Sequence, residues 1–181
     1  MDELLLHSSP MPGAAAAPPV GSNGSLALRT ALFDPESWRE ILEVYAHSMN
    51  LAVALVDEAG RMLGPCHNPR PTWSRLHTAQ GGTDGGCPFA LAPLTPCTCI
   101  ADALARRTLV LAHDRTGLVH FAVPLVLDDT PLGALLAGQV FDQYPEQLLL
   151  EHVATRVRLS PQEIWQGARL ELPVKEVTLR M

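Results

Sequence analysis

Apolar and polar positions along the chain change period several times, and each change marks an element. From residue 35 apolar side chains recur at Trp38, Ile41, Leu42, Tyr45 and Met49, the spacing of one helical face. Asp34-Pro35-Glu36 supplies an N-cap acceptor, a proline at the first helical position and an acid in the first turn, so the pattern predicts a helix over 35–48. Residues 51–57, LAVALVD, read as a strand, Glu58-Ala59-Gly60 as a turn, and residues 61–63 as the start of a return strand. The stretch 65–96 is rich in Pro, Gly and Thr and has little period. It reads as a long loop, of a length that carries function or is tied down by something. A short helix over 97–106 turns Ile100, Ala103 and Leu104 inward and leads into the strand TLVLA.

Residues 117–141, GLVHFAVPLVLDDTPLGALLAGQVF, form the clearest signal in the chain. Two apolar runs flank Asp128-Asp129-Thr130-Pro131, which predicts a hairpin at the centre of a sheet. Its second strand carries Gly133, Ala134, Ala137 and Gly138, and small residues weaken a strand unless something packs closely on its backbone. Beyond it, Leu148, Leu149, Val153 and Val157 predict a helix over 146–157. Ser160-Pro161-Gln162-Glu163 is a capping box opening a helix to about residue 170, and Leu172 onward starts another. The expected architecture is α+β: a five-stranded antiparallel sheet with helices packed on one face and C-terminal signalling helices, the layout of PAS- and GAF-type domains.

Composition divides the chain. Residues 1–30 hold a Pro-, Gly-, Ser- and Ala-rich flexible leader, 31–170 the domain, and 171–181 the start of a linker or signalling helix, as in the front piece of a longer protein. A net charge of −6 argues against contact with nucleic acid or an anionic membrane. No apolar run is long enough to span a bilayer, and Met-Asp-Glu lacks the basic start of a secretory signal, so cytoplasmic residence is expected.

The candidate chemistry sits in the irregular half. Cys66, Cys87, Cys97 and Cys99 all fall outside predicted strands, and clustered loop cysteines in a reducing compartment point to metal or redox chemistry rather than disulfides. Cys97 and Cys99 lie at a helix N-terminus, which favours thiolates. Ligation of zinc, an iron–sulfur cluster or a tetrapyrrole would order such a loop. Buried thiols acting as small hydrophobes, or a redox-active or cofactor-attaching cysteine, are the alternatives. His67 and His113 stand close enough in sequence to join a site, whereas His120, inside the hairpin, reads as a core or pocket histidine rather than a ligand. Gly138 and Gln139 read as pocket floor, Gly138 leaving room and Gln139 offering a polar group, with Gln139 tying strands together as the alternative. Trp73 in the loop reads as a ligand contact.

These features together resemble the PocR-type sensory domain, a PAS-related module of bacterial transcription regulators and histidine kinases. The resemblance rests on LAVALVDEAGRML, Cys87, the C-x-C of 97–99, and above all DRTGLVHFAVPL followed by LGALLAGQVF. It implies a small-molecule sensor, of hydrocarbon-derived ligands, whose pocket lies between sheet and helical flap and whose output is a kinase or DNA-binding module. The family often has a further cysteine three positions before the Gly-Leu pair, where this chain has Asp114. Asp114 or His113 would then substitute, or Cys66 would come from elsewhere. The expected ligand contacts are Trp73, His113, His120, Phe121, Gly138 and Gln139, and the expected metal ligands Cys66, Cys87, Cys97 and Cys99. A homodimer without catalytic residues is expected. The competing enzymatic reading pairs Cys97 or Cys99 with His113 and Asp114.

Overall fold

The helix start at Asp34-Pro35 is realised in the structure, a computed structural model that describes residue 31 and residues 33–81, 86–91 and 96–175. Asp34 Oδ1 accepts the Glu36 amide at 3.3 Å, and helix α1 runs Pro35–Ser48. Leu42 and Ala46 form its buried side, while Ile41 and Tyr45, expected inward, are exposed. In the helix α4, Gln147–Arg156, Leu150, Val153 and Ala154 are buried and Leu148 is exposed. In both helices the apolar stripe is wider than the contact, and the neighbouring sheet or helix selects which part of it is covered. Ser160 Oγ accepts the Glu163 amide and opens α5, Pro161–Ala168.

One antiparallel sheet contains β1 (Ala52–Asp57), β2 (Val110–His113), β3 (Leu118–Leu127) and β4 (Thr130–Phe141), in the order β1-β4-β3-β2. The hairpin turn uses Asp128 and Asp129, both at positive φ, which matches the twist of the paired strands. The expected five strands are thus four. Residues 61–63 contribute only the single bridge Val56↔Met62, because Gly64 at φ +111 redirects the chain and Pro65 has no amide for a ladder.

Helices cover both faces of the sheet rather than one. On the first face Ala52, Ala54, Ala122 and Leu136 pack against α3 (Cys99–Arg106) and residues 87–90. On the second, Val53, Leu55, Phe121 and Ala137 pack against Leu42 and Ala46 of α1. Alternation along β3 therefore sends His120 and Phe121 to opposite sides. The stretch 65–96 also contains a helix, α2 (Pro71–Ala79), with Thr72, Trp73 and Leu76 buried. Nine residues make too few turns for a period to stand out, although Pro71 at the first helical position was a start signal.

Residues 171–175 are not helical, and the Val174 amide donates to the Phe141 carbonyl at 2.8 Å. The rest of the expected segment 171–181 lies outside the described residues, as does the expected leader 1–30. Among the described residues, no helix is long and apolar enough to cross a membrane.

Candidate metal centre

Three stretches of chain deliver four ligand atoms to one point. Cys99 is the first residue of α3, and its amide lies 3.4 Å from Cys97 Sγ, so the C-x-C turn curls both sulfurs inward. Cys87 enters from the preceding loop, where its carbonyl accepts the Ala90 amide at 3.0 Å. That loop is anchored by Trp73 of α2, whose Nε1 donates to the Phe89 carbonyl at 2.9 Å. His120 rises from β3, with the Phe89 ring set edge-on against its imidazole. The donor atoms of Cys87, Cys97, Cys99 and His120 all lie within 4.8 Å of one another, and only Cys97 is more than marginally exposed.

The position of His120 depends on a bulge. Val119 pairs with Val140 and His120 with Gly138, so Gln139 is an extra residue on β4, at φ +59. A Cβ on Gly138 would stand 2.4 Å from His120 Cα, so only glycine allows the strands to approach this closely.

Close packing shifts the proton affinity of three of the four groups. Burial opposes charge on the His120 ring, but hydrogen bonds and negative charge from Cys87 and Cys97 outweigh it and push its pKa up to about 10. Hydrogen bonds from Cys87 and Cys99, helped by His120, hold Cys97 well below the usual thiol range. Hydrogen bonds with Cys87 and then Cys97, together with burial, push Cys99 upward. Three thiols and an imidazole thus share one buried point, and a divalent cation bound there would take the place of protons.

The spacing fits a single four-coordinate ion. With Zn–S of about 2.3 Å and Zn–N of about 2.0–2.1 Å, tetrahedral angles set sulfurs roughly 3.8 Å apart and sulfur and nitrogen roughly 3.6 Å apart. Cys87 and Cys99 Sγ are 3.6 Å apart, and Cys87 Sγ is 3.5 Å from His120 Nε2. Cys97 Sγ approaches the same nitrogen at 3.1 Å. Donors that converge on one point suit an ion better than an iron–sulfur core, which spreads its ligands around several atoms, or a tetrapyrrole, which needs a flat slot. A cavity of about 160 Å³ lined by Cys97, Asp102, Ala112, Asp114 and His120 leads to the centre.

The sequence-derived candidates do not all come together. Cys87, Cys97 and Cys99 come together and are joined by His120, which the sequence assigned to a pocket. Cys66 is left out, because residues 66–67 run beside β1 through the bridge Val53↔His67. Its thiol lines a different cavity, and burial pushes its pKa up to about 11. Trp73 lines that same cavity. Phe121 packs on the opposite face of the sheet, and His113 is exposed and paired with Asp142 at 3.1 Å. Gly138 meets backbone rather than open space, and Gln139 Oε1 accepts the Arg70 amide at 3.2 Å, tying β4 to the entry of α2. Asp114, at the position where the resembled family often has cysteine, accepts the Thr116 and Leu118 amides and closes the turn before β3. The sequence reading set His120 apart from the cysteines and did not single out Phe89, which stands beside it. An imidazole in an otherwise apolar strand opposite a glycine was the available signal.

A family model described as the sensory domain found in PocR matches residues 31–176. No curated protein matches the chain. One similar solved structure is the GAF domain/HD domain protein from Geobacter sulfurreducens, 13% identical, which aligns over 78% of this chain and 98% of that one at a TM-score of 0.38.

Proposed function

The chain belongs to the family of sensory domains found in PocR, and from that premise we propose that it senses through a metal centre held by Cys87, Cys97, Cys99 and His120. As a member of that family it is a ligand-sensing signalling domain and not an enzyme. The convergence of the four donor atoms within 4.8 Å carries the metal reading. A bound zinc-type ion supplies a Lewis-acidic point that ties α3, the 87–90 loop and β3 together.

The residues around the centre give it a way to respond. Cys97 borders the 160 Å³ cavity, so a small molecule or oxidant has a route to a sulfur. Cys99 begins α3, so any change in its bonding acts on the first turn of that helix. His120 is held by the bulge and stays put while the loop sulfurs move. We extend the proposal to a cytoplasmic homodimer, supported by Ile41 and Val44, which α1 leaves exposed. A histidine kinase output rests on the sequence resemblance.

Elemental analysis of the purified protein tests the centre. The expected result is close to one zinc-type ion per chain, lost in Cys97→Ser and His120→Ala and kept in Cys66→Ser. A folded wild-type protein that takes up no such ion after reconstitution would overturn the reading, as would loss of the ion in Cys66→Ser.

A further inference from the structure

Of the four donors at the candidate centre, the sulfurs are the groups that give up electrons readily. A zinc-type ion does not change oxidation state, so oxidation at such a centre falls on a thiolate. The three thiols are not equally placed for it. Cys87 and Cys99 are buried, at 4% and 2% exposure, whereas Cys97 is only half-buried. Cys97 is therefore where a small oxidant enters.

A sulfur oxidised at Cys97 has two candidate partners. Cys99 is the first residue of α3, and its amide lies 3.4 Å from Cys97 Sγ. A bond between residues two apart closes a small ring around Thr98, whose carbonyl accepts the Asp102 amide at 2.9 Å and so belongs to the first turn of the helix. Disulfide geometry is specific, and closing that ring works against the turn. Cys87 carries no such constraint. It and Cys97 both lie outside helices and strands, and their sulfurs are within 4.8 Å of each other, so the two segments have a short distance to travel. Cys87 Sγ is also 3.6 Å from Cys99 Sγ, but both of those thiols are buried, and neither is the one an oxidant meets first.

We propose, resting on the metal reading above, that Cys97 and Cys87 are a peroxide-sensitive pair whose disulfide dismantles the centre. The Cys97 thiolate attacks one oxygen of hydrogen peroxide, the O–O bond breaks, and the departing hydroxide takes a proton from solvent to become water. Cys97 is then a sulfenic acid. The Cys87 thiolate attacks its sulfur, the S–O bond breaks, and a second hydroxide leaves and is protonated. Two electrons pass from two thiolates to one peroxide, and two solvent protons complete two waters. The new bond removes two of the four donors, leaving Cys99 and His120, and the ion is released. It also pulls on Thr98, whose hydroxyl donates to Asp102 Oδ2 at 2.7 Å, so the first turn of α3 registers the change.

Peroxide titration of the zinc-reconstituted protein tests the pair, with thiols mapped by mass spectrometry and dimedone present in a parallel sample. At an equimolar dose the expected product is lighter by two hydrogens, carries a Cys87–Cys97 bond and has lost its ion. Dimedone should be captured at Cys97, the Asp102 amide should exchange faster, and a thiol reductant with added zinc should restore the starting state. Cys66→Ser, outside the centre, should respond as wild type does. A first dimedone adduct elsewhere, a bond that excludes Cys87, release without a disulfide, unchanged exchange at Asp102, or a lost response in Cys66→Ser each overturns the proposal. Ion content is counted before peroxide is added. A loaded protein that keeps its ion and its thiols through the titration sinks the redox pair and leaves the metal centre standing, whereas a protein that loads no ion sinks both.

Discussion

Gly138 shows how much can turn on a missing side chain. Beside the 2.4 Å approach to His120 Cα, a Cβ there would lie 2.5 Å from the Val119 carbonyl oxygen, at a backbone φ of +131. Gly138→Ala is therefore expected to lower the free energy of unfolding by about 1–3 kcal/mol, read by chemical denaturation. Gly138→Val, which the pocket-floor reading expects to fill a cavity and leave the fold intact, should cost more. An unchanged midpoint in Gly138→Ala would show that the strands can part without penalty. His77 gives a second expectation at this scale. Burial lowers its folded pKa, so the unfolded chain takes up the proton first as pH falls. The sign follows: stability is lost as pH drops from about 6.5 toward the folded value. The melting temperature of wild type should fall more steeply between about pH 7.5 and about pH 5.5 than that of His77→Phe. Parallel curves would remove His77 as the cause.

Between elements, a buried polar link joins the sheet, α2 and the outgoing chain. Glu171 accepts the Thr72 amide at 2.7 Å with one oxygen and lies 3.7 Å from Arg70 Nε with the other. Arg70 in turn lends its amide to Gln139 in the bulge, and Val174 is bonded to the end of β4. Helix α2 is thus fastened to the segment through which the chain leaves the domain. Breaking a buried pair by removing one partner leaves an uncompensated charge, so Glu171→Ala should destabilise by about 3 kcal/mol. Hydrogen exchange separates a local from a coupled effect. The amides of Thr72 and Val174 should both exchange faster in the variant. Loss of protection at Thr72 alone would mean that α2 and the exit segment are not coupled.

For the molecule as a whole, ligation and folding should be one equilibrium. Residues 87–91 and 96–98 have no helix or strand, and two of the four donors, Cys87 and Cys97, lie among them. A metal present at about a thousandfold above its dissociation constant adds about 4 kcal/mol to the folded state. At about 2–4 °C per kcal/mol for a chain of this size, chelation should lower the melting temperature by about 8–16 °C. Readdition of zinc should restore it. A melting temperature indifferent to chelator, in protein shown to have lost its metal, would separate the centre from the stability of the fold.

Where the cause is local, the sequence was enough. Asp34-Pro35, the capping box at Ser160 and the paired aspartates at 128–129 define helix starts and a hairpin turn through contacts within a few residues, and all three occur where they were read. The C-x-C spacing likewise placed the thiols of Cys97 and Cys99 close together at a helix start, and α3 begins at the second of them. Alternation along β3 separates His120 from Phe121, but which face would hold cysteines is not written in either strand. The replacement of Cys66 by His120 depends on distant events: a bulge opposite Gly138, a bridge that draws residues 66–67 beside β1, and a tryptophan in α2 that pins the Cys87 loop. Each is a packing decision between segments tens of residues apart. The four donor atoms meet by convergence in space, so only the tertiary structure could decide which side chain joins the three cysteines.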